Sequence, residues 1–208
     1  DAGGDPVAGS VDTSLIEVYD RAAMLLTEKP TNGKDADGKS STLVSGGEFY
    51  VNASKDGVLL TSGGYQIIAP TDNTGAIDQD MRQFDGVETC DRDDCDFAWE
   101  EVNDRGMEIG EFQVTGGFET GYYVWQSKFG WTNIDRWYND PRPKTTIFVD
   151  VPEGFDNTNC AVFIAYDGEP TALGMMDRYD ESTGRFTEHY GLIPIGLNVH
   201  FILISVID

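Results

Sequence analysis

Leu43-Val-Ser-Gly-Gly-Glu-Phe-Tyr-Val-Asn-Ala53, followed by Lys55-Asp-Gly57 and Val58-Leu-Leu60, is the stretch that decides the fold class. Phe49, Val51 and Ala53 fall on one side of an extended chain and Tyr50 and Asn52 on the other, the period of two that a strand presents. Asp56-Gly57 stands between apolar runs as a two-residue hairpin turn. The pattern then recurs. Leu60-Thr-Ser-Gly-Gly-Tyr-Gln-Ile-Ile-Ala69 echoes the first segment, and a third Gly pair, Gly116-Gly117, leads into Tyr122-Tyr-Val-Trp125. Two close copies are too few for a solenoid, so this half reads as a Gly-rich β-meander.

Working outward, Val11–Tyr19 reads as a strand and Asp20–Ala23 as a short turn, because no helical period is sustained from cap to cap. Thr71–Gly106 reads as a loop-rich acidic region. After Trp125 the texture changes to Phe129-Gly-Trp-Thr-Asn-Ile-Asp-Arg-Trp-Tyr-Asn-Asp-Pro-Arg-Pro143, an aromatic segment that two prolines interrupt. Four strand-like runs follow: Thr145–Val151, Ala161–Tyr166, Thr171–Met176 and Val199–Val206. Turns at Pro152-Glu-Gly154, Asp167-Gly168 and Pro194-Ile-Gly196 separate them. The expectation is an all-β chain of two β-sandwich-like domains: residues 1–125, and an Ig-like or transthyretin-like sandwich over 126–208, joined through the Trp-rich segment.

Charge narrows the partners. Fourteen Lys and Arg stand against 37 Asp and Glu, a net charge of −23. Such a chain repels phosphate backbones and anionic headgroups, which makes nucleic acid a poor partner. No apolar run approaches the ~18 residues of a membrane helix, and the longest, Phe201–Ile207, suits one buried strand. The polar start Asp1-Ala-Gly-Gly-Asp-Pro6 carries neither a basic nor an apolar leader region. It reads as a mature start, either behind a cleaved signal or behind a lipidated Cys.

Three cysteines are present. Cys90 and Cys95 flank a tight Cys-Asp-Arg-Asp-Asp-Cys segment, which suits a local disulfide in an oxidising compartment, with free thiols and metal ligation as alternatives. Cys160 enters an apolar run and reads as a buried, unreactive small hydrophobe.

Gly130-Trp-Thr-Asn-Ile-Asp-Arg-Trp-Tyr-Asn-Asp-Pro141 resembles the Gly-Trp-x-Asn-x-Asp-Arg-aromatic segment of exported proteins, many of them predicted lipoproteins, from marine and gut Bacteroidetes. Ser45-Gly-Gly-Glu-Phe-Tyr-Val-Asn-Ala53, Asp56-Gly-Val-Leu-Leu60 and Asp80-Met-Arg-Gln-Phe-Asp-Gly86 are similar to segments at comparable positions in those proteins. The resemblance covers most of residues 11–206. It implies an extracellular or outer-membrane location and an all-β build, and no particular activity. That family often has Cys where Ile134 stands, so no role of that Cys carries over.

Candidate chemistry is sparse. Asp91, Asp93, Asp94 and Asp96 crowd one loop, and a hard cation such as Ca²⁺ takes six to eight oxygens. The loop nevertheless lacks the Gly and Glu of an EF-hand and reads first as a solvated turn. Asp35 and Asp37 form a weaker version of the same pattern. Trp131, Trp137 and Tyr138, with Trp125 nearby, could stack on sugar rings or plug a domain junction. The plug is the favoured reading, with Asn133, Asp135 and Arg136 supplying polar partners. No nucleophile-elbow, zinc-protease or P-loop motif occurs, and His189 and His200 have no nucleophile at motif spacing. These observations point to a non-catalytic secreted or cell-surface protein in binding, adhesion or envelope structure, with glycan or protein as ligand. A carbohydrate-binding module is the more specific alternative, and a glycan hydrolase with paired carboxylates the third reading.

Overall fold

The chain is known from a computed structural model that describes residues 4–71, 74–91, 94–103, 106–188 and 191–205, without the side chains of residues 90, 91 and 94–96. In chain order the elements are β1 (Asp12–Val18), α1 (Arg21–Thr27), β2 (Asn32–Lys34), β3 (Ser40–Lys55), β4 (Val58–Leu59), β5 (Tyr65–Pro70), β6 (Arg82–Asp91), β7 (Asp94–Glu101), β8 (Glu108–Val114) and β9 (Gly117–Gln126). They continue with β10 (Gly130–Trp137), β11 (Lys144–Thr145), β12 (Phe148–Asp150), β13 (Cys160–Tyr166), β14 (Leu173–Met175), β15 (Arg178–Asp180), β16 (Arg185–Thr187), β17 (Ile193–Pro194) and β18 (Val199–Ser205). The expected all-β class is observed: several antiparallel sheets and, among the described residues, a single α-helix of seven residues.

Two compact units interleave along the chain. The first comprises Asp1–Tyr19 and Ser45–Arg136, the second Asp20–Val44 and Trp137–Asp208. The expected single division is replaced by three crossings: at Tyr19–Asp20 between β1 and α1, at Val44–Ser45 inside β3, and at Arg136–Trp137 near the end of β10. The physical reason lies in β3. At 16 residues and ~3.3 Å per residue it is long enough to serve two cores, and alternation along a strand reports its conformation, not its partners.

In the first unit, β1, β3, β10, β6 and β7 lie in that order in one sheet, with β4 also paired to β3, while β5, β9 and β8 form a second sheet. Phe49, Ile67, Ala69, Met81, Tyr122, Val124 and Ile134, drawn from both sheets, make one core. Gln126 adds a polar link, its Nε2 donating to Asp85 Oδ1 and Thr132 Oγ1, both at 2.7 Å. The Asp56-Gly57 turn is as the sequence predicts. Both residues have positive φ, 51° and 78°, and Lys55 pairs with Val58, the geometry of a type I′ hairpin.

Residues 71–106 depart from expectation. The acidic region is largely the β6–β7 hairpin, with Phe84 opposite Glu101 and Cys90 opposite Cys95. The acidic residues of this stretch obscure its apolar positions in the sequence, yet Phe84 and Trp99 are fully buried.

In the second unit, the expected turn at residues 20–23 is the start of α1. Asp20 caps it, accepting from the Ala23 N–H at 2.9 Å, and the chain leaves through Glu28 in the left-handed region. Met24 is the one buried side chain of the helix, so no apolar stripe marked it in the sequence. The Arg21 guanidinium donates to the carbonyls of Tyr166, Glu169 and Ala172 and so ties down the turn after β13. Three of the four expected runs appear as β13, β14 and β18, and the first as the two short strands β11 and β12. The β15–β16 hairpin was not foreseen. Its strands are three residues each, and Asp180 holds its turn by accepting from Ser182 and Thr183. Val44, Val162, Ile164, Tyr166, Ala172, Met176, Phe186 and Ile193 form the core.

Candidate functional site

The open face of the β5–β9–β8 sheet is the most distinctive surface of the first unit. Along β9, Tyr122, Val124 and Gln126 point into the core, while Tyr123 and Trp125 point out. Register brings Gln66 opposite Trp125, and Ile68 and Glu108 opposite Tyr123. Opposed residues of antiparallel strands share a face, so Trp125, Tyr123, Ile68, Gln66 and Glu108 lie together. Trp125 is 52% exposed and Ile68 41%.

Glycines let the rings lie low on this face. A Cβ on Gly121 would sit 2.6 Å from the Phe112 ring, and one on Gly110 would sit 3.2 Å from the Tyr123 ring. Phe112 in turn meets Tyr123 edge to face at 6.3 Å. Successive outward residues of a strand stand ~7 Å apart, so Tyr123 and Trp125 form a short apolar strip edged by the polar ends of Gln66 and Glu108. Along the edge of β5 a cleft of about 320 Å³ opens, lined by Thr13, Leu15 and Glu17 on one side and Tyr65, Gln66 and Ile68 on the other. Gln66 and Ile68 thus border both the strip and the cleft.

The Trp-rich segment sits elsewhere and is built differently from expectation. Its main part is β10, an interior strand between β3 and β6 and not a linker. Trp131 is half-buried, tilted on Tyr50 at 5.2 Å and edge-on to Trp99 at 6.2 Å. Arg136, expected on the opposite side from Asp135, makes an ion pair with Asp78 at 3.1 Å. Trp137 and Tyr138 are half-buried in the second unit, where Tyr138 packs on Tyr166 at 5.1 Å. Packed rings of this kind offer little face to a sugar, whereas Trp125 does.

Asp135 is fully buried. Its Oδ2 accepts from Asn133 Nδ2 at 2.7 Å, Ser45 Oγ donates to Asn133 Oδ1 at 3.1 Å, and Asp135 Oδ1 has no hydrogen-bond partner. Burial pushes its pKa up to about 8, and the nearby polar groups of Ser45, Asn133 and the Gly46 backbone only partly oppose that rise. A carboxyl so enclosed holds its proton at neutral pH.

The remaining expectations fall as follows. Asp93 and His189 lie outside the described residues, as do the side chains of Asp91, Asp94 and Asp96. Asp35 spends a carboxylate oxygen on the N–H groups of Asp37 and Lys39, closing its own loop. Among the described residues no group of three His, Cys, Asp or Glu is placed to hold a metal. Cys160 is half-buried rather than buried, its thiol donating to the Asp156 carbonyl at 3.2 Å. Burial, then the Asp156 charge, raises its pKa, which keeps the unreactive thiol form. His200 faces away from Val199 and Phe201, as expected, and stands 3.4 Å from Asp167.

The aromatic strip was only half legible. Tyr122-Tyr-Val-Trp125 carries large side chains at both parities, a sign that both faces are apolar, but the sequence does not say which face another sheet covers. In comparisons with known proteins, the chain matches no family model, no curated protein and no solved structure.

Proposed function

We propose that this chain is a non-catalytic binding module of the cell surface or extracellular space, and that it binds neutral glycan on the open β5–β9–β8 face. The observation that carries the reading is Trp125, 52% exposed beside Ile68 and Tyr123 on a sheet face. An indole needs a polar partner or water for its N–H and otherwise gains by covering an apolar surface. The flat C–H face of a pyranose is such a surface. Gln66 and Glu108 stand where ring hydroxyls would need hydrogen-bond partners. The net charge of −23 favours uncharged sugars over sulfated or phosphorylated ones. Surface location rests on the acidic composition, on the resemblance to exported proteins and on Cys90 standing opposite Cys95.

Affinity electrophoresis through gels containing neutral polysaccharides tests this reading. The native chain is expected to be retarded by at least one of them. Trp125→Ala should lose about tenfold in affinity, about 1.4 kcal/mol, while Phe148→Ala, at an exposed ring of the second unit, should run like the parent. Equal retardation of Trp125→Ala and parent, or no retardation across the panel, would refute it.

A further inference from the structure

We propose that β18 is a self-recognition edge through which two copies of the chain pair antiparallel across a twofold axis. β18 is hydrogen-bonded to β13 on one side, and among the described residues no strand lies on its other side. It therefore presents an open row of backbone N–H and C=O groups. Two of its three core-side residues, Phe201 and Leu203, are also largely uncovered, while Val199 packs on the core. Val199, Phe201 and Leu203 stand opposite Tyr166, Ile164 and Val162, which are buried to within 1%. Phe201 and Leu203 remain 42% and 37% exposed, and Ile204 on the other face 38%.

Proteins ordinarily blunt such an edge with Lys, Pro, a bulge or an inward charge. Val199-His-Phe-Ile-Leu-Ile-Ser205 has no Asp, Glu, Lys, Arg or Pro. In a chain of net charge −23, an uncharged strand is where two copies approach with least repulsion, which argues for a second copy as the occupant.

The strand is also its own complement. Antiparallel pairing centred on Ile202 sets Val199 against Ser205, His200 against Ile204 and Phe201 against Leu203, with Ile202 facing its own mate. Both Phe201–Leu203 pairs then fall on the core side, where each ring covers a leucine. Twofold symmetry makes the contact isologous and closed, so it ends at a dimer. Two seven-residue strands make a contact at the small end of specific interfaces, so the dimer is concentration-dependent.

Sedimentation velocity of the intact chain over a range of concentration and salt tests this. A species of twice 22.9 kDa is expected to grow with concentration, and to grow further as salt screens the repulsion between two acidic chains. Leu203→Lys should weaken it by about tenfold or more. Should that variant fail to fold, Ile204→Lys, at an exposed position on the opposite face of the strand, should do the same. In a Cys160→Ser background, Ile202→Cys should crosslink to its mate under mild oxidation, whereas Val199→Cys, which meets Ser205, should not. A monomer under all conditions, a dimer indifferent to both Lys variants, or equal crosslinking at positions 199 and 202 would overturn the proposal.

Discussion

Asp135 is a fully buried carboxyl whose surroundings oppose its charge. Unfolded, its carboxyl titrates near the ordinary value of ~3.9; folded, burial raises it to about 8. Below about pH 4 both states carry the proton and this group gives stability no pH dependence. Between ~4 and about 8 the folded state keeps a proton that the unfolded state has lost, so stability falls as pH rises, by at most about 1.4 kcal/mol per pH unit. Above about 8 both states are ionised and the loss is complete. Asp135→Asn removes this titration. Denaturant melts from pH 4 to 9 are expected to show the parent losing stability relative to the variant across that window, with parallel curves outside it. Curves parallel throughout would mean that Asp135 is solvated. Alternation placed Asn133 and Asp135 on one side and Arg136 on the other, but burial does not alternate here, because Thr132, Asn133, Ile134 and Asp135 are all buried in an interior strand. What alternation could not reveal is that the neighbouring cation, Arg136, pairs with Asp78 rather than with Asp135.

Elements were legible where turn chemistry and apolar period agreed. The Asp56-Gly57 hairpin is one case, and β13 and β18 are others. They were hidden where charge covered the period, as in β6 and β7, or where one buried side chain held the element, as Met24 does in α1. The β6–β7 hairpin bears on the disulfide. Directly opposed residues of an antiparallel pair have Cα atoms ~4.5–5.5 Å apart, inside the ~4.4–6.8 Å range of disulfides, and Cys90 is directly opposite Cys95. A crosslinked peptide spanning both residues is expected in non-reducing mass spectrometry of the native chain. Reducing it should cost about 2–3 kcal/mol, the small-loop value of the chain-entropy model. Two thiols that alkylate in the native protein would contradict the pairing.

At the scale of the molecule, the interleaving of the two units was beyond the sequence, because it depends on which core each half of β3 joins. The aromatic segment taken for a junction is mostly the interior strand β10, and only its end, at Arg136–Trp137, marks a crossing between units. That change moves the binding proposal from Trp131 and Trp137 to Trp125. Of the four tryptophans, Trp99 is fully buried, Trp131 and Trp137 are half-buried and Trp125 is exposed. Acrylamide quenching of tryptophan emission, measured with and without the neutral polysaccharide that retards the chain most, therefore reads the proposed site in the intact protein. A quencher-accessible fraction is expected that is present in the free chain, absent in Trp125→Ala, and protected in the parent when glycan is added. Glycan-dependent protection that persists in Trp125→Ala, or quenching that saturating glycan leaves unchanged, would contradict it.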